Sequence, residues 1–206
     1  SGENITITGG TVEANGGLYG AGIGGGLNGV GKNITINGGT VEATGGDNGG
    51  AGIGGGDSGS GEAITITGGK VTAQGGSQGA GIGGGSWGSG SNVTVSGAAQ
   101  VTAIAGKPDR SGVGAGATIG NGDSMTEDGE LVDGKEIQAD ISGLTTTGYI
   151  RHMIYNEDGS VKQEWWEYGH LQPAPDTPNA PAEESNEVSL GTPGLHVETL
   201  EGDPLP

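Results

Sequence analysis

The residues best placed to do chemistry are hydroxyls, carboxylates and a few aromatics that recur at about thirty-residue spacing. Thr6, Thr35, Thr65 and Thr94 take the same place in successive copies of one phrase, followed two residues on by Thr8, Asn37, Thr67 and Ser96. If the copies stack as strands, these side chains form two outward columns, a grid of roughly 6.7 by 4.8 Å. Such a grid can hydrogen-bond a sugar or, as in ice-binding solenoids, order water; threonine is equally an ordinary exposed strand residue. Glu13 and Glu42 fall on adjacent copies. Like charges side by side are unfavourable unless Lys70 or a cation approaches, so the pair is either a calcium candidate or two solvated charges on a wet face. Asp47 and Asp57 lack the Gly-Gly-x-Gly-x-Asp spacing of calcium-binding nonapeptides. Tyr19 and Trp87 offer flat faces for sugar stacking, but at different places in their copies.

Catalysis finds less support. A β-helix polysaccharide lyase or hydrolase needs carboxylates clustered in a groove, alone or with Arg or Lys. Residues 1–106 contain no His, no Arg and six scattered acids, and pairs such as Glu127-Asp128 fall outside the repeats. Without cysteine there are no thiolate nucleophiles, thiolate metal sites or disulfides. Gly-x-Gly-x-x-Gly occurs at Gly24/Gly26/Gly29, Gly54/Gly56/Gly59 and Gly83/Gly85/Gly88, yet it leads into a strand rather than a helix whose N-terminus would hold a pyrophosphate. The chain therefore reads as a non-enzyme without a cofactor, the remaining alternative being an accessory fragment of a polysaccharide lyase or glycoside hydrolase.

The elements that position these residues come from a repeat. One phrase starts at Asn4, Asn33 and Ala63, with a decayed copy at Asn92; the one length change is Gly49-Gly50 in place of Gly20. Each copy holds three short strand-like pieces separated by glycine corners: 5–8, 11–14 and 21–24 in the first. Period-two alternation turns Ile5 and Ile7, Val12 and Ala14, and Ala21 and Ile23 inward. With 51 glycines and no Phe, the interior must be thin layers of Ile, Val, Leu and Ala. The expected fold is all-β: a parallel β-solenoid of about four roughly triangular coils, with ladders Ile5-Ile34-Ile64-Val93, Val12-Val41-Val71-Val101 and Ile23-Ile53-Ile82.

Ile5-Thr6-Ile7-Thr8-Gly9-Gly10, Thr11-Val12-Glu13-Ala14 and Gly20-Ala21-Gly22-Ile23-Gly24-Gly25-Gly26 resemble the glycine-rich repeats of large surface proteins of gut-type Gram-positive bacteria. That family is similar to right-handed parallel β-helices used as adhesin stalks or carbohydrate-binding modules. The resemblance covers about residues 1–122 and implies a right-handed coil, in line with the general crossover preference, and a secreted or cell-surface location. It implies an adhesin-like module that spaces or presents binding functions, with a carbohydrate-binding module as the alternative. It carries no ligand motif.

Three segments are expected: the solenoid over 1–122, a cap or small β extension over 123–170, and an acidic, proline-rich tether over 171–206. Gly114-Ala115-Gly116-Ala117 reads as a worn echo of the third strand, and 149–155 and 161–168 as a hairpin around an Asp-Gly turn. Trp165 and Trp166 alternate across that hairpin, so one is expected against the solenoid and the other in solvent. The net charge of −18 lies mostly beyond residue 106, which disfavours nucleic acid and anionic lipid as partners, and no apolar run is long enough to span a bilayer. A glycan or a host-surface partner remains. Gly22, Gly52 and Gly81 expose bare backbone on the third strand, a face expected to be covered by another segment or chain.

Overall fold

The computed structural model describes residues 1–108 and 112–169; the expected tether lies outside the described residues. Every regular element in the described part is a strand. The first ladder stacks β1 (Gly2–Ile7), β4 (Gly31–Ile36), β7 (Gly61–Ile66) and β10 (Gly90–Val95), all parallel. The second stacks β2 (Thr11–Asn15), β5 (Thr40–Thr44), β8 (Lys70–Gln74) and β11 (Gln100–Ile104), again parallel. The third is two residues wide: β3 (Ile23–Gly24), β6 (Ile53–Gly54), β9 (Ile82–Gly83) and β12 (Ile119–Gly120). The chain is thus the expected parallel β-solenoid, with each anticipated aliphatic ladder in register.

Like residues meet along the axis because the repeat keeps their spacing, and the interior they form is dry. Ile34, Ile64, Val41, Val71, Ile53 and Ile82 have no solvent exposure, whereas Ile5, Ile7, Val12 and Ala14 of the first coil are only partly buried because no coil covers them. The outward Asn column is a device of its own. Asn4, Asn33 and Asn92 bend the strand at φ 54–58°, a left-handed conformation that asparagine tolerates, and Asn33 Nδ2 donates to Asn4 Oδ1 at 3.1 Å. Ala63 holds the same bend at φ 55° without a polar side chain.

The third ladder is pinched into the stack. Ala21 N donates to the Gly25 carbonyl at 2.8 Å, closing a small arc that carries Ile23 into the core. The bare face of Gly22, Gly52 and Gly81 points inward rather than outward. A Cβ on these residues would stand 2.6–2.7 Å from Thr44 N, Gln74 N and Ile104 O. The cover expected from another segment or chain is therefore the solenoid's own second ladder. Glycine is needed here for close approach of two backbones.

Lys107 onward breaks the spacing, and the echo of the third strand sits two residues later than expected. Gly116-Ala117-Thr118-Ile119-Gly120 repeats Gly79-Ala80-Gly81-Ile82-Gly83, and Ile119 pairs with Ile82. A partial fifth coil follows. Glu136 bridges Gly120, Asp140 bridges Thr94 and Leu144 bridges Gly97. The expected hairpin is present as β15 (Tyr149–Tyr155) and β16 (Val161–Tyr168), and β15 joins β11 in parallel as a fifth rung. A small ribbon, β13 (Ser124–Met125) with β14 (Leu131–Val132), lies between. Both tryptophans are half-buried, correcting the expectation that one faces solvent: Trp165 stacks on His152, and Trp166 packs between Tyr149 and Tyr168.

An alanine held in left-handed conformation costs roughly 1–2 kcal/mol that asparagine largely avoids. Ala63→Asn should therefore raise stability by about 1 kcal/mol in urea unfolding, since it also joins Asn33 to Asn92 in one ladder.

Candidate functional site

The register of the first ladder aligns Thr6, Thr35, Thr65 and Thr94 in one outward column. Thr6 is exposed and the others half-buried, and the column ends beneath Asp140 of the fifth coil. In the neighbouring column Thr67 Oγ1 donates to Asn37 Oδ1 at 3.0 Å, so part of that grid is satisfied internally. Glu13 and Glu42 are strand partners as expected. The column continues as Thr72 and Thr102, while Lys70 aligns with Thr40 instead. Asn15 Nδ2 donates to Glu13 at 3.3 Å. Among the described residues no three His, Asp or Glu side chains come close enough together to hold a metal ion.

Tyr19 and Trp87 lie on separate corners, one after the second ladder and the other before the first, both exposed. Trp87 sits at φ 63°, where the equivalent residues Asn28 and Ser58 have φ 55° and 57°. A bulky residue is disfavoured in this region, and the corner is held in place by Asp123. The Asp123 carbonyl accepts from Trp87 N at 3.0 Å, and its buried carboxylate accepts from Ser86 Oγ at 2.6 Å and Gln78 Nε2 at 3.1 Å. The indole is presented outward on a fixed backbone.

The polar cluster that sequence reasoning missed lies where the stack ends. Two substitutions in the repeat create it. Thr118 takes the place of Gly81, and His152 follows Ala14, Ala43, Ala73 and Ala103 in the inward column of the second ladder. Each would be intolerable inside the stack, but on the last rung the extra atoms meet one another. Thr118 Oγ1 is 2.7 Å from His152 Nδ1 and donates to Glu136 Oε2 at 2.8 Å. Glu136 also accepts from Thr118 N at 2.6 Å and Ile119 N at 3.1 Å, serving the open backbone edge. On the far side His152 Nε2 lies 2.9 Å from Glu167 Oε1, and Glu167 Oε2 accepts from Gln138 Nε2 at 2.7 Å. The imidazole stacks on Trp165 with centroids 4.5 Å apart.

Thr118 and His152 are buried, and their contacts fasten the cap to the end of the stack. The signal was present in the sequence as a glycine changed to threonine within an otherwise intact Gly-Ala-x-Ile-Gly echo. Burial raises the pKa of Glu167, but hydrogen bonds from His152 and Gln138 and the electrostatic attraction of His152 outweigh it and hold the carboxyl below its ordinary value.

Residues 5–27, 34–57 and 64–86 match the family described as beta helix repeat, one match to each of the first three coils. No curated protein and no solved structure matches the chain. The repeats are of the beta helix type, and the stacked ladders show the same arrangement in space.

Because the folded-state pKa of Glu167 lies below the unfolded one, its stabilisation is complete above the ordinary carboxylate range and is lost as pH falls through the folded value. Thermal unfolding followed by circular dichroism should show Tm dropping below about pH 4. Glu167→Gln should flatten that acid limb and lower Tm at neutral pH by about 2–8 °C.

Proposed function

We propose that this chain is a non-catalytic, surface-exposed structural module of bacterial type, an adhesin-like β-solenoid that spaces or presents binding functions outside the cell. The observation that carries this reading is the unbroken register of all three ladders over four coils. A stack of that kind has a fixed direction and grows by about 4.8 Å per coil, so its length is set by the number of repeats. Corners and outward columns are then free to vary without disturbing the dry interior. The acidic balance suits an exposed surface.

Antibodies raised against residues 1–122 should label intact source cells or the culture medium as strongly as they label lysed cells. Labelling that appears only after lysis contradicts an external spacer.

A second reading, a carbohydrate-binding module of a secreted polysaccharide-degrading protein, draws on the aligned column of Thr6, Thr35, Thr65 and Thr94. On a glycan array this reading expects binding that disappears in the Thr35→Val, Thr65→Val double variant, with the fold retained because both side chains point away from the core.

A further inference from the structure

Where the second ladder ends and each coil turns toward the third, a cleft of about 230 Å³ opens on the outside of the stack. Its walls are the side chains of Thr44, Asp47, Gln74, Ser77 and Lys107. Its floor is bare backbone at Gly45 and Gly75-Gly76. Thr44 and Gln74 are strand partners on adjacent rungs. Asp47, Ser77 and Lys107 each follow the glycine pair or Ala-Gly that opens the corner in three successive coils. Two rungs separate the carboxylate from the ammonium, about 10 Å, with the serine between.

We propose that this cleft binds one neutral pyranose unit of a saccharide. Three observations lead there. At three other places on the solenoid, polar side chains on successive coils satisfy one another: Asn33 with Asn4, Thr67 with Asn37, Ser60 with Ser89. Among the described residues none of the five polar side chains of the cleft has a hydrogen-bonding or ionic partner. Their identities are not dictated by the coil either. The flanking glycines recur while the corner residue changes from Asp47 to Ser77 to Lys107.

The chemistry of the set suits a polyol. A carboxylate accepts from paired hydroxyls, an ammonium donates to a ring or hydroxyl oxygen, and amide and hydroxyl groups do both. Opposite charges on the two outer rungs leave the cleft electrically balanced, which favours a neutral ligand over an acidic or basic one. The volume falls below the roughly 300–1,000 Å³ of clefts that take drug-sized ligands, leaving room for a single ring. A glycine floor lets that ring lie close against the backbone. The site goes beyond the spacer reading and makes no use of the threonine column.

Saturation-transfer difference NMR on the full chain, with the methyl glycosides of glucose, galactose and mannose, tests it. Transfer to at least one of the three is expected. Asp47→Ala and Lys107→Ala should each weaken binding about fivefold or more, while Thr35→Val with Thr65→Val leaves it unchanged. All of these side chains are solvent-facing, so circular dichroism should show the fold intact. No transfer to any of the three glycosides overturns the proposal. So does transfer that survives both cleft variants undiminished, and loss confined to the threonine variant would place sugar binding on the threonine column instead.

Discussion

Ile34 lies between Ile5 below and Ile64 above, and the same holds for Val41 between Val12 and Val71 and for Ile53 between Ile23 and Ile82. Parallel pairing of like residues one coil apart is what makes the interior possible. A single coil has too few apolar atoms to bury, and a layer of Ile, Val and Ala becomes a core only when the next layer sits on it. The same pairing fixes every outward column at once. Slippage by one residue would turn the aliphatics into solvent and the threonines into the core.

Register alone does not close the coil, and here the glycines matter more than their number suggests. The third strand is squeezed between the ends of the two wider ladders, so the backbone at Gly22, Gly52 and Gly81 comes closer to neighbouring backbone than any side chain allows. At Gly24, Gly54, Gly83 and Gly120 the chain passes through φ of 135–147°, a conformation closed to other residues. Close approach and unusual dihedrals together give a narrow tube with few large side chains. The composition that would otherwise argue for disorder is a consequence of that geometry.

The repeat was legible because its spacing barely varies, which let the ladders, the coil number and the inward residues be assigned from Ile5, Val12, Ile23 and their copies. The hairpin at Tyr149–Tyr155 and Val161–Tyr168 was legible from strand composition around Asp158-Gly159. Three things were hidden. The direction of the glycine face depends on how far the third strand is pinched, which alternation does not encode. The fourth third-strand copy was masked by the long insertion after Gly106. The Thr118, Glu136, His152 and Glu167 cluster joins residues up to 49 positions apart, brought together only because β15 adds a fifth rung where the inward alanine column becomes histidine. The polar corner of Asp47, Ser77 and Lys107 was overlooked for the opposite reason: each residue is unremarkable in its own repeat, and only stacking makes them neighbours.

The end of the stack shows how such a tube can stop. Polar groups that a further coil would have paired are taken up by Glu136, and the exposed alanine column is sealed by an imidazole held between Thr118 and Glu167. All of this presupposes that successive units lie on one another. Methyl-to-methyl nuclear Overhauser contacts measure it most directly: strong cross-peaks between Ile34 and Ile64 and between Ile64 and Val93 are predicted, at separations of about 5 Å. Absence of both, or contacts that pair these units antiparallel, would contradict the solenoid and everything drawn from it.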